Sequence, residues 1–387
     1  MLIQSALIVS AISTFLQLFP IGKKGGFRLG SGLPVIMGVS FAYLPSMQAI
    51  AGDFGLPAIF GAQIVGGIVA IFVGIFIKKI RKFFPPLIAG TVVFTIGLSL
   101  YPTAINYMAG GTGQPGYGSW QNWTVAIFTL IVVTVLNHFA KGFLKLASIL
   151  IGMIAGYIFS SFFRMVSFSN VAQAGVFQLP EVMHFGIEFE PSACVALGLL
   201  FVINSVQAIG DFSATTAGGL DREPTTGELH GAILGYGVSN ILGAFLGCLP
   251  TATYSQNVGI VATTKVVNRV TLGLSALIIL TAGLFPKFSA LLTTIPYAVL
   301  GGATVSVFAS IAMTGMKLVM TENMNYRNTS IVGLAAALGM GVSQASSSLA
   351  SFPDWVTTIF GKSPVVIATL VAVFLNVTLP KDKAAEK

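Results

Sequence analysis

The residues best equipped for chemistry fall in 249–269, LPTATYSQNVGIVATTKVVNR, a polar interruption in an otherwise apolar chain. Thr253, Tyr254, Ser255, Gln256 and Asn257 offer hydroxyls and carboxamides, groups that donate and accept hydrogen bonds without titrating near neutral pH. Their chemistry is recognition of a polar ligand edge. In hydrocarbon each unpaired polar group costs several kcal/mol, so an irregular polar segment persists there only where protein or a water-filled cavity surrounds it. Pro250 and Gly259 loosen the backbone further, and the stretch is the binding-site candidate.

A second set lies upstream. Asn204, Gln207, Asp211 and Thr215 recur at spacings of three and four, which places them on one helix face. A polar stripe within a spanning helix faces the bundle interior or a cavity. Gln207 reads as a ligand contact, against the plainer use of such groups in interhelical hydrogen bonds. Asp211 is the carboxylate well inside a span, and burying its charge is costly enough to make it a functional candidate. It could carry a proton. The preferred reading is structural or indirect, with Asp211 near the cytoplasmic end, hydrated or paired with Lys265 or Arg269.

The elements that position these groups are membrane helices. Of the 387 residues 55% are hydrophobic and only 8% charged, too few charges for a water-facing surface. Mean hydropathy is +0.88. Residues 1–20 lack the basic start and small-residue cleavage pattern of a secretory signal and read as a span. Further spans are predicted at about 31–51, 57–77, 84–104, 121–140 and 145–163, then, after a polar loop at about 165–190, at about 192–214, 229–248, 250–267, 270–286, 296–316, 329–346 and 364–380. The segment at 31–51 is interrupted by Gly32, Pro34, Gly38 and Pro45, as 250–267 is by its own polar run.

Two stretches look like copies. Gly74-Ile75-Phe76-Ile77-Lys78 with Pro85 and Gly90 resembles Gly283-Leu284-Phe285-Pro286-Lys287 with Pro296 and Gly301. The same register lays 31–51 over 250–267. Paired interrupted segments in two halves are the sequence pointer to a midplane substrate site in inverted-repeat transporters. The two segments are therefore expected to depart from continuous helix and to meet.

Charge placement predicts sidedness. One side collects Lys23, Lys24, Arg28, Lys78, Lys79, Arg81, Lys82, Lys141, Lys145, Arg222, Lys265, Arg269, Lys317, Arg327, Lys381, Lys383 and Lys387; the other collects Arg164, Lys287 and Lys362. The rich side is cytoplasmic and includes the C-terminus. The same bias accounts for the net charge of +8 without a nucleic-acid partner. Neither the Gly-rich run 110–119 nor Gly361-Lys362-Ser363 completes a phosphate loop, so ATP-driven pumping has no support. Cys194 and Cys248 read as packing residues, and no cofactor or metal is expected.

Gln256-Asn257-Val258-Gly259, four residues, then Thr264-Lys265 resembles the signature of the nucleobase/ascorbate transporter family (nucleobase-cation symporter 2). Gln207 to Asp211 and Ile295 to Gly302 extend the resemblance over nearly the whole chain. It implies an all-α polytopic membrane protein of the cell membrane, a seven-plus-seven inverted repeat with a short strand in each of the third and tenth segments. Residues 1–80 and 166–290 would form a core bundle, 81–165 and 291–380 a gate bundle, and 381–387 a cytoplasmic tail. A first half one helix short of the second predicts that the family's first helix is absent. A homodimer through the gate bundle is an assembly the resemblance allows.

Carried over, the resemblance implies that Gln256 bonds a nucleobase edge, that Tyr254 and Ser255 line the site, that Asn257 holds the motif's local structure and that Phe41 packs on the base. A planar heterocycle wants a stacking face and a few fixed donors and acceptors. Gln at 256 resembles the xanthine and urate branch more than the uracil branch. Two departures stand out: where the family usually carries Glu this chain has Gln207, and where it often carries Asp it has Tyr236. The usual proton relay is thereby in doubt, and His138 and His184 do not replace it. The alternative is an inorganic-anion carrier of the sulfate/bicarbonate type with the same fold. A membrane-embedded enzyme would need a metal cluster or a nucleophile with its base, neither of which is present in the sequence pattern.

Overall fold

A computed structural model describes every residue except 23–27, 81–84 and 381–387. Lys23, Lys24, Arg81, Lys82, Lys381, Lys383 and Lys387 from the charge pattern, and the tail 381–387, lie outside the described residues.

The chain opens with α1 (Leu2–Leu18) and a hairpin, β1 (Ile21–Gly22) antiparallel to β2 (Arg28–Leu29), which the sequence did not signal. The interrupted segment 31–51 becomes β3 (Met37–Val39), a 3-10 turn (Phe41–Tyr43) and α2 (Leu44–Phe54). Next come α3 (Leu56–Ile75) and α4 (Ile77–Ile80). The span predicted at 84–104 is α5 (Pro86–Ser99) followed by α6 (Tyr101–Met108), with the break at Leu100 where Pro102 removes a backbone donor. There follow α7 (Trp120–Phe139), α8 (Phe143–Leu146), α9 (Ser148–Ser161) and a single turn, α10 (Ser169–Gln173), inside the predicted polar loop.

The second half runs α11 (Pro191–Leu220), α12 (Thr226–Phe245), β4 (Thr251–Thr253), α13 (Ser255–Thr264) and α14 (Arg269–Leu284). It ends with α15 (Pro286–Thr293), α16 (Tyr297–Val319), α17 (Tyr326–Gln344), α18 (Asp354–Val356) and α19 (Pro364–Thr378). Helix α14 ends at Leu284 and Pro286 opens α15, since proline cannot continue the preceding helix. Helix α12 begins in a reciprocal cap: Thr225 Oγ1 accepts from Glu228 N at 3.2 Å, and Glu228 Oε2 accepts from Thr225 N at 2.8 Å.

By their contacts the residues divide into two compact units, one of Met1–Thr95, Gln178–Leu284 and Gly315–Lys387, the other of Ile96–Phe177 and Phe285–Thr314. In the first, α3 and α11 are each 61% buried over their most apolar windows, and α3 packs against both α11 and α12. Gly67 and Gly237 make the α3–α12 crossing close: a Cβ on either would stand 2.8 or 2.6 Å from the other's carbonyl oxygen. In the second unit α7 is only 28% buried and turns Ile127, Ile131 and Val135 outward, the pattern of a lipid-facing helix. By length and composition five stretches of described helix can cross a membrane, six if the pair α14–α15 counts as one.

The duplicated sequence elements make equivalent contacts. In the first unit Gly90, near the start of α5, lies against Gly315 and Val319 at the end of α16. In the second, Gly301, near the start of α16, lies against Tyr107 and Met108 at the end of α6. Each copy thus uses its glycine at the same step after proline for the same close approach. The interrupted segments also pair: β3 runs antiparallel to β4 with Met37 opposite Thr253, Gly38 opposite Ala252 and Val39 opposite Thr251.

Candidate functional site

A two-stranded sheet has two open edges, and inside a membrane protein both must be satisfied. Side chains do this. Thr14 on α1 accepts from Met37 N at 3.0 Å and donates to Met37 O at 3.3 Å, closing the outer edge of β3. Asn240 on α12 accepts from Thr251 N at 2.8 Å and donates to Thr251 O at 3.1 Å, closing the outer edge of β4. The two halves solve one problem in one way, with a polar residue on the helix that precedes each strand.

Beyond each strand the chain turns into a helix. Ser40 caps the turn after β3, its Oγ accepting from Ala42 N at 3.2 Å. Tyr254 stands at the N-cap of α13 and gives no side-chain cap; Asn257 N donates to Tyr254 O at 2.9 Å, while the N–H groups of Ser255 and Gln256 meet no acceptor among the described residues and carry the positive end of the helix dipole. The Tyr254 ring lies back across Gly38, where a Cβ would collide with it, and the hydroxyl donates to Val39 O at 3.4 Å. Glycine at 38 is thus required by a neighbour's ring. Gly38→Ala should cost about 1–3 kcal/mol by overpacking. That cost should shrink in a Tyr254→Ala background, which thermal unfolding of the two single variants and the double variant would measure.

Behind the strands is a chain of polar contacts. Thr253 Oγ1 donates to Asp211 Oδ2 at 2.5 Å and Ser255 Oγ donates to the same oxygen at 3.1 Å. Gln207 Nε2 donates in turn to Ser255 Oγ at 3.3 Å, while Gln207 Oε1 is buried with no donor among the described residues. Asn257, buried, donates to Pro34 O at 2.9 Å, and Tyr254 N donates to Ile36 O at 3.2 Å, which ties 34–36 to the start of α13.

The residues singled out from sequence therefore divide by exposure. Phe41, at 40% exposed, Tyr254, at 39%, and Gln256 present themselves at the surface of the first unit. Ser255 and Gln207 are half-buried, and Asp211 and Asn257 are buried. Asp211 is not paired with Lys265 or Arg269: Lys265 Nζ donates instead to Gly218 O at 2.8 Å and Asp221 Oδ1 at 2.9 Å, capping the end of α11. The reason is reach. Lys265 sits at the left-handed end of α13, whereas Asp211 faces the opposite end, where β4 enters.

Tyr236 fills its position with an aromatic pair, its hydroxyl bonded to that of Tyr43 and both rings packed on Phe201, with centroids 5.6 and 5.0 Å away. His138 bonds Thr134 O on its own helix and His184 bonds Glu181. Sequence reading missed Thr14, Asn240 and the partnership of Thr253 with Asp211. Asn240 was discoverable, being a carboxamide within the apolar run of α12.

Residues 1–347 match the profile of the Permease family that holds the xanthine and uric acid permeases, the nucleobase/ascorbate transporter family. The chain belongs to that family. It is 34% identical over 380 residues to the uric acid permease PucJ of Bacillus subtilis, covering 96% of this chain and 82% of that one. It is 30% identical over 396 residues to the xanthine permease XanQ of Escherichia coli, covering 98% and 83%. Among solved structures, the transmembrane domain of the cyanobacterial bicarbonate transporter BicA superposes with a TM-score of 0.57 at 15% identity, over 97% of this chain and 89% of that one. The murine anion transporter Slc26a9 in its inward-facing state superposes with a TM-score of 0.58 at 12% identity, over 97% and 62%. At such identities the likeness is one of fold. This permease is a multi-pass membrane protein and a transporter, not an enzyme.

Proposed function

We propose that this permease takes up a purine nucleobase, xanthine or urate in class, by alternating access of a core bundle (1–80 and 166–290) against a gate bundle (81–165 and 291–380). The observation that carries the reading is the uncapped start of α13, which sets open N–H groups beside the exposed Gln256 carboxamide and the Tyr254 ring. Oxopurines offer ring faces to stack and carbonyl and N–H edges to read, and a helix N-terminus favours their acceptor or anionic side. Phe41, Tyr254, Ser255 and Gln256 contact the base in this reading. Gln207 supplies a buried acceptor, and Asn257 and Asp211 hold the strand and helix that present them. The tail 381–387 lies in the cytoplasm, and two copies associate through the gate bundle.

An inorganic-anion carrier shares the fold, as the BicA superposition illustrates, but a small anion has no use for a stacking ring and a carboxamide side by side. The deciding experiment is uptake of radiolabelled xanthine, urate, uracil, guanine and hypoxanthine into vesicles, with and without proton and sodium gradients and with sulfate and bicarbonate as competitors. Saturable uptake of a purine that neither anion inhibits is expected; anion uptake without purine uptake would overturn the reading. Gln256→Ala should weaken purine binding about 5- to 150-fold, the 1–3 kcal/mol of an unpaired buried edge. Gln256→Glu should shift preference toward uracil. Unchanged affinity in the alanine variant would remove Gln256 from the site.

A further inference from the structure

A cavity of about 530 Å³, away from the strand pair, opens in the first unit where the hairpin β1–β2 meets the starts of α12 and α14. Arg28, Arg222, Arg269, Glu228, Phe19 and Pro20 line it. Arg222 is already satisfied, its two nitrogens gripping the Glu228 carboxylate at 2.7 and 2.9 Å. Arg28 donates to Ser31 O at 2.5 Å and meets no carboxylate among the described residues. Arg269 has neither a hydrogen-bond nor an ion-pair partner among them.

Placement of cations at the cytoplasmic end of helices is ordinary. Their convergence here is not explained by it. A Cβ added at Gly32 would stand 2.7 Å from Arg28 Nη2 and 3.1 Å from Arg269 Nη2, so both guanidinium groups turn toward one point. Arg269 is also the first residue of α14, where the helix dipole repels a cation. The backbone beneath is fixed: Gly30 N donates to Gly231 O at 2.8 Å, seating β2 on α12. Two like charges held toward each other at the positive end of a helix, in a pocket with room to spare, are complementary to an anion.

We infer that Arg28 and Arg269 form a phosphate-binding site at the cytoplasmic end of the first unit, separate from the nucleobase site. Guanidinium forks match phosphate oxygens. Phe19, 46% exposed, and Pro20 give the same cavity an apolar lip, so the phosphate is that of an anionic phospholipid headgroup or a free phosphate. Both share the chemistry that the two arginines read.

Arg269→Gln is the informative variant, because Arg269 is exposed and makes no bond that the fold would miss. Purified protein is placed in nanodiscs of phosphatidylcholine with or without phosphatidylglycerol. Retained lipid is read by native mass spectrometry, and the thermal midpoint is followed during titration with inorganic phosphate and, at matched ionic strength, with chloride. The expected result is phosphatidylglycerol retained by wild type and lost by Arg269→Gln, or a phosphate-induced shift whose apparent affinity falls at least about tenfold in the variant. The first outcome assigns the site to a lipid, the second to free phosphate. Equal behaviour of wild type, Arg269→Gln and Arg28→Gln in both arms, or a shift that chloride reproduces, overturns the inference.

Discussion

Asn240→Ala is expected to abolish nucleobase uptake and to lower the thermal midpoint more than any substitution at the exposed face of the site. Asn240 closes the outer edge of β4 at Thr251, and its loss strands both the N–H and the C=O of Thr251 in a buried setting. Each orphaned group costs about 1–3 kcal/mol. Two together, about 2–6 kcal/mol, are a large share of a marginal stability. The strand carries Thr253 and leads directly into Tyr254, Ser255 and Gln256, so a shifted β4 misplaces every group at the start of α13. Thr14→Val supplies the matched experiment in the other half, since it keeps the shape and removes only the hydroxyl that closes β3 at Met37. Thr14→Ser should remain close to wild type. Detergent-solubilised midpoints and vesicle uptake measure both; full uptake by Asn240→Ala would show that β4 holds its place without an edge partner.

Much of this arrangement was legible in the sequence, for a physical reason. Polar groups and Gly or Pro inside an apolar segment carry a cost that only a protected, irregular backbone removes, so 31–51 and 250–267 announced themselves as interruptions. Their pairing as β3 and β4 followed from the repeat in which both occur. The partners of those strands were harder to read. Thr14 lies in a helix with no other sign of function, and nothing local distinguishes a threonine that bonds its own helix, as Thr129 does at 2.8 Å from Val125 O, from one that closes a strand 23 residues away. Asp211 shows the same limit. Its burial and its helix face were visible from spacing, but its choice of Thr253 and Ser255 over Lys265 and Arg269 depends on how β4 enters between helices. The β1–β2 hairpin left no signal because two-residue strands have no periodicity to detect.

Gln207→Glu is expected to make uptake rise as pH falls from about 8 to about 5, where the parent protein should show a flatter profile. In the parent, Gln207 and Asp211 both bond Ser255 Oγ, at 3.3 and 3.1 Å, the carboxamide as donor to the hydroxyl and the carboxylate as acceptor from it. Only one of these side chains can ionise. Glutamate at 207 would set a second carboxylate against the same hydroxyl, and two like charges across one oxygen are not both held in a buried site; one must take a proton. The variant should therefore bind a proton whenever the site is competent, and low pH should favour that form. Asp211→Asn tests the other end of the chain. Its Oδ1 can still accept from Thr253, so the fold should survive, but the carboxylate that Thr253 and Ser255 bond is then gone. If Asp211 carries a proton during transport, this variant should lose gradient-driven accumulation and keep downhill exchange. If Asp211 only holds β4, accumulation should persist at reduced rate. In Gln207→Glu/Asp211→Asn a single carboxylate is restored at the neighbouring position, and recovery of accumulation there would show that one charge behind Ser255, on either side chain, is what coupling requires.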